Sequence, residues 1–168
     1  ARLATPVTKY WICKRNAGHS AEALECIGGS GYVEDSGMPR LFRQSPLNGV
    51  WEGSGDVICL DVLRAMRKEP ESVDAFLSEL EAAGGADLRY DAALKDLKEA
   101  MAAPVEAGAR RLVERMAVLL QASLLLRHSP AFVSGAFVAA RLGDPGVAYG
   151  ALPAGVDCAA IVERAMPA

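Results

Sequence analysis

The chain has 168 residues, of which 51% are hydrophobic and 23% charged, with a formal net charge of −3. That balance suits one ordinary globular domain and excludes a general basic field for nucleic acid, so any such binding needs a local patch. The most apolar run, Met116 to Leu126, is broken by Gln121 and Ser123 and falls short of the roughly 18 residues a membrane span needs.

Helix is the dominant signal, and no alternating strand pattern of useful length is present. Thr5-Pro6 predicts a capped start for a helix running to Ile27 and stopping at Gly28-Gly29. Residues 29–50, with Pro39, Pro46 and several glycines, read as loop. A second helix is predicted from about Asp56, capped by Ser54 or Asp56, with Cys59, Val62, Leu63 and Met66 on its apolar stripe. Pro70 and Ser72 open a third, striped by Val73, Phe76, Leu77 and Leu80 and ended by Gly84-Gly85. Asp87 caps a fourth, with Tyr90, Leu94, Leu97 and Met101 on one face. Pro104 starts or kinks a fifth, striped by Val105, Ala109, Leu112, Met116 and Leu119. A sixth runs from Ser129-Pro130 to about Leu142. A Gly/Pro-rich loop follows, and a short helix from Val156 to Ala165 closes the chain. The predicted class is all-α, a helical bundle with a C-terminal helical extension, divided at 1–68 and 69–168.

Four cysteines form no CxxC pair and only His19 and His128 accompany them, so no metal centre is expected. Three of the cysteines fall in helical apolar patterns, as expected of reduced, buried thiols in the cytoplasm. Trp11 is expected in the core. No secretory signal is visible, and the chain opens without methionine, straight into a helical pattern, as expected of a fragment lacking its N-terminal part.

Two glycine-marked corners carry the chemistry: Gly28-Gly29-Ser30-Gly31-Tyr32 and Trp51-Glu52-Gly53-Ser54-Gly55. Glycine lets backbone approach a ligand closely, and the second corner leads into a helix N-terminus, where free N–H groups favour anions. Each alone also reads as a simple capped turn, and Glu52 as a carboxylate favoured by a helix dipole.

Together, Ala23-Leu24-Glu25-Cys26-Ile27-Gly28-Gly29-Ser30-Gly31-Tyr32, Pro39-Arg40-Leu41-Phe42-Arg43 and Trp51-Glu52-Gly53-Ser54 resemble the C-terminal helical domain of acyl-CoA dehydrogenases. Order and spacing agree over about the first 65 residues. The family shows glutamine, aspartate and threonine where this chain has Glu25, Gln44 and Ser54. The resemblance implies FAD as cofactor of the full-length protein, weak or absent in the fragment. It implies flavin contacts from Glu25, Gly28, Gly29, Gly31, Trp51, Gly53, Ser54, Gly55 and Asp56. It gives Glu52 the role of base for the α-proton of an acyl-CoA, in an apolar site walled partly by Trp51. It also implies a homotetramer, since the glycine loop reaches a neighbouring subunit's flavin. The corners at Tyr32 and Trp51 are then expected to converge on one flavin, within a subunit or across a subunit packing.

Trp51–Gly55 followed by Cys59-Leu60-Asp61-Val62-Leu63-Arg64, with further helices beyond Met66, resembles the AidB-like branch of the bacterial DNA-alkylation response. That implies double-stranded DNA as partner, with Arg64, Arg67, Lys68, Arg110, Arg111 and Arg115 as contacts and Arg127 and Arg141 behind them. Read without the resemblance, these cations are a solvated helix face that Glu106 and Glu114 partly neutralise. An ordinary acyl-CoA dehydrogenase and a non-catalytic helical interaction domain are the alternatives.

Overall fold

The computed structural model describes residues 2–144 and 146–167, which form helices and turns with no strand among them. The α-helices are α1 (Ala4–Ile27), α2 (Gly29–Tyr32), α3 (Met38–Gln44), α4 (Gly55–Lys68), α5 (Pro70–Glu81), α6 (Leu88–Ala102), α7 (Ala109–His128), α8 (Ala131–Val138) and α9 (Cys158–Ala165). The chain divides into two compact units, and α5 and α7 each contribute to both.

The first unit comprises residues 1–73 and 104–117. The 24-residue α1 is its scaffold, packing against α2, α3, α4 and the 3₁₀ turn Ser45–Gly49. Its Leu3, Val7 and Tyr10 are buried. In α4, Ile58, Cys59, Val62, Leu63 and Met66 are buried at helical spacing, as the stripe predicts. Ala109, Leu112, Val113 and Met116 of α7 add to this core, while Val105 ahead of the helix is exposed. Each fully buried side chain of this size removes apolar surface worth about 1.5–3 kcal/mol from water.

The second unit comprises residues 74–103 and 118–168. The predicted face of α6 is buried in full: Tyr90, Leu94, Leu97 and Met101. The Tyr90 hydroxyl donates to the Leu80 carbonyl at 2.7 Å, which satisfies the one polar atom that this side chain takes inside. Asp87 caps α6 by accepting from the Arg89 N–H, and the Arg89 guanidinium bonds that carboxylate too, holding it below the usual carboxylate range. Arg127 of α7 pairs with Glu79, and the Ser123 hydroxyl donates to the Glu79 carbonyl at 3.0 Å.

Several local expectations are corrected. Residues 29–50 are a string of short helices, α2, α3 and the 3₁₀ turns Glu34–Ser36 and Ser45–Gly49. They are fixed by packing on α1 and by bonds such as Asn16 Nδ2 to the Ser45 carbonyl at 3.1 Å. Helix α1 starts at Ala4 with Leu3, which has no side-chain oxygen, in the cap position, so there is no side-chain cap and the expected cap Thr5 lies inside the helix. Helix α7 begins at Ala109, after a 3₁₀ turn at Glu106–Gly108, whereas the sixth helix does extend past Leu142, as α8 continued by a π turn, Ala139–Gly143. Trp11 is only half-buried, with the Arg15 guanidinium 4.9 Å from its ring centroid. Of the cysteines only Cys59 is buried; Cys13 is half-buried and Cys26 and Cys158 are exposed. Among the described residues, no helix is long and apolar enough to cross a membrane.

Candidate functional site

The corner at Trp51–Gly55 reverses the chain into α4, and its backbone is unusual. Glu52 has φ +53°, in the left-handed region that non-glycine residues seldom occupy, and Gly53 follows at φ +103°. One side chain spans the corner. The Lys9 ammonium donates to the Trp51 carbonyl and to the Gly53 carbonyl, each at 2.9 Å. Ser54 occupies the N-cap position of α4 in extended conformation but makes no side-chain cap bond, so its hydroxyl is not spent on the helix. Gly55 is buried, and a Cβ there would lie 2.5 Å from Lys14 Cε and 3.4 Å from the Tyr10 ring. Asp56 accepts from Arg110 Nε and Nη2, one edge of the guanidinium, which lowers the carboxyl and raises the guanidinium relative to their usual ranges.

Glu52 and Gly53 open on a hollow of about 780 Å³ in the first unit. Pro6, Val57, Ile58 and Leu60 give it apolar walls, and Arg2, Lys9 and Arg64 give it three cations against Glu52 and Asp61. Arg2 is held by Asp61 and Glu69, both at 3.1 Å, and Arg64 lies 3.6 Å from Asp61. An apolar floor with a cationic rim suits an amphiphilic anion. The Trp51 ring lines a different hollow, of about 620 Å³, with His19, Leu41 and Leu47. It is therefore not the expected wall over Glu52, whose side chain is exposed in this chain.

The glycines of the other corner separate by cause. Gly28 has φ +69°, which ends α1. Gly31 is buried, and a Cβ there would collide with the Leu24 carbonyl oxygen. Gly29 has neither constraint: it is exposed, with nothing within 4 Å of where its Cβ would be. Tyr32 is 78% exposed, and Glu25 is exposed on the last turn of α1. Lys9 and Gly28 are nineteen positions apart on α1, which is about 28 Å of helix at 1.5 Å per residue. Glu52 and Arg64 thus meet at one hollow, whereas Glu25, Gly28, Gly29 and Gly31 sit at the far end of α1.

The basic residues differ in how far they are engaged. Arg67 and Lys68 are exposed on the last turn of α4, and on α7 Arg111 is exposed and Arg115 half-buried. Arg110 and Arg127 are committed to Asp56 and Glu79, Arg64 is shared with Asp61, and Arg141 lies in the π turn. Sequence reasoning missed Lys9 and Arg2. Arg2 offers no signal in the sequence, and Lys9 only that of a lysine between the buried Val7 and Tyr10.

The family described as "Acyl-CoA dehydrogenase, C-terminal domain" matches residues 1–67. AidB of Escherichia coli (strain K12) is 38% identical over 129 residues, covering 77% of this chain and 24% of that protein. Acyl-CoA dehydrogenase family member 11 of Caenorhabditis elegans is 36% identical over 113 residues, covering 67% of this chain and 18% of that protein. The crystal structure of Caenorhabditis elegans ACDH-11 in complex with C11-CoA superposes with a TM-score of 0.63 at 28% identity, covering 76% of this chain and 25% of that one. The chain thus spans about a quarter or less of the length of these relatives. The order of short helices on α1, the corner before α4 and these similarities agree, and the segment 1–67 belongs to the acyl-CoA dehydrogenase C-terminal domain family.

Proposed function

We propose that this chain is the C-terminal part of an AidB-like flavoprotein that, at the full length of its relatives, binds FAD and double-stranded DNA as a cytoplasmic homotetramer. The observation that carries the reading is the corner at Trp51–Asp56. It has strained backbone at Glu52, an uncommitted Ser54 hydroxyl and a helix N-terminus behind it, in a chain 38% identical to AidB. Those groups fit a flavin: backbone N–H groups and a hydroxyl at a helix start suit its phosphate or ribityl portion. Flavin, when bound, supplies a hydride acceptor. The open face at Gly29 suits close approach of a ligand, and the length of α1 between Lys9 and Gly28 supports a reading in which the two corners meet different copies of the cofactor. This supports self-association. DNA contact falls to Arg67, Lys68, Arg111 and Arg115, the cations of the expected set left outside the pairs with Asp56, Asp61 and Glu79.

A second reading is favoured by the hollow beside Glu52. Its apolar walls and the cations Arg2 and Arg64 suit an acyl chain with an anionic head, and ACDH-11 was solved with C11-CoA. Glu52 then removes the α-proton of an acyl-CoA in an ordinary dehydrogenase.

The full-length protein separates them. The first reading expects yellow protein and a DNA gel shift that weakens steeply with salt, with little acyl-CoA oxidation; absence of a shift at low salt rejects it. The second expects reduction of an electron acceptor by an acyl-CoA, lost in Glu52→Gln; unchanged turnover in that variant rejects it.

A further inference from the structure

We infer that Lys9 is the positioning residue of Glu52, the side chain that fixes where this carboxylate is presented. The inference rests on the reading of Glu52 as the acting base at the full length of the protein.

Glu52 occupies a backbone conformation that is costly for a residue with a side chain, and such conformations persist only where the surroundings over-determine them. No α-helix or 3₁₀ turn includes residues 51–54; at the two ends of the corner the Trp51 N–H donates to the Leu47 carbonyl at 3.2 Å and the Ser54 carbonyl accepts from the Ile58 N–H at 3.0 Å. Between those two bonds, one ammonium group from α1 ties the segment. The Trp51 carbonyl lies on one side of Glu52 and the Gly53 carbonyl on the other, and both accept from Lys9 Nζ at 2.9 Å. Two charge-assisted bonds from a single atom bridge the segment 51–53 and tie it to the longest helix of the unit. The cation binds backbone, so it orients Glu52 without consuming the carboxylate. The following residue, Gly53 at φ +103°, allows the turn back toward that ammonium, and its Cβ position faces Ile58 at 3.3 Å. Lys9 also lines the hollow that Glu52 lines, so the anchor is at the site itself.

The test uses Lys9→Met, which keeps the length of the stem and removes the donors, with Lys9→Gln as the second variant should the first not fold. Backbone ¹⁵N relaxation of the purified protein reads the anchor without any reaction. The expected order parameters at Glu52 and Gly53 fall from about 0.85 to below about 0.6, while the interior of α4 is unchanged. Unaltered values at 52 and 53 in a folded variant overturn the inference. In the full-length protein loaded with FAD, Lys9→Met is expected to lower kcat for an acyl-CoA roughly 10²-fold, with KM within about twofold and flavin content unchanged. A kcat equal to wild type, when Glu52→Gln has lost turnover, overturns the role of Lys9 and leaves Glu52 standing. Turnover that survives Glu52→Gln removes the base itself, and with it any positioning role.

Discussion

Gly31→Ala perturbs the chain at the point where the α1–α2 corner is tightest. The added Cβ would collide with the Leu24 carbonyl oxygen and lie 3.1 Å from Ile27 Cβ. The first obstacle is backbone of α1, which cannot swing aside as a flexible side chain can. Overpacking of this kind costs about 1–3 kcal/mol. Alanine recovers about 0.5–1 kcal/mol of that through its lower conformational entropy in the unfolded chain. The expected net loss is about 1.5 kcal/mol, which for a chain of this size lowers Tm by roughly 3–6 °C. Gly29→Ala is the internal control: its Cβ meets nothing within 4 Å and its φ is ordinary, so Tm is expected to hold or rise slightly. Thermal melts followed by far-ultraviolet circular dichroism measure both. A Gly31→Ala variant as stable as Gly29→Ala refutes the reasoning, because it would mean that Gly31 is not a packing residue and is free for a ligand.

Tyr90→Phe removes a buried hydroxyl that donates to the Leu80 carbonyl, and denaturant unfolding is expected to show a loss of about 1 kcal/mol; no change contradicts the bond. Burial pushes the Cys59 thiol up to about 11. Alkylation of the native protein at pH 8, read by mass spectrometry, is therefore expected at the exposed Cys26 and Cys158 and not at Cys59. Early labelling of Cys59 contradicts its burial. The Arg89 guanidinium holds the folded-state Asp87 carboxyl below its unfolded value. Its contribution is therefore present above the ordinary carboxylate range and is lost as pH falls through the folded value. Melting temperature below about pH 4 is expected to fall more steeply for wild type than for Asp87→Asn, and parallel curves refute the coupling.

The long helices were legible because each repeats its pattern over several turns. The stripes of α4 and α6 are buried residue for residue, and Gly28 ends α1 where a glycine stop was expected. Residues 29–50 were misread because pieces of three to seven residues complete fewer than two turns, too few for a period to register. Tertiary contacts such as Asn16 to Ser45 make them helical. Trp11 was misplaced because an apolar ring in a helical stripe gives no sign that an arginine covers it from outside. In the candidate site, the residues of the Trp51–Asp56 corner were legible as a motif, but their relations were not. The Asp56–Arg110 pair joins positions 54 apart, and the Lys9 bonds join positions 42 and 44 apart. Lys9 also binds carbonyl oxygens, which every residue carries, so no complementary side chain betrays it. Separating Gly31, needed for packing, from Gly29, open to solvent, likewise required coordinates, since both stand in the same short motif.

Flavin content is the most direct measure of whether the corner before α4 belongs to a cofactor site. The protein at the full length of its relatives should purify yellow, or take up added FAD to about one per chain by visible absorbance, and should lose that uptake when Ser54→Ala is combined with Gly29→Val. A colourless protein that binds no FAD, or one whose occupancy is indifferent to both substitutions, contradicts the account.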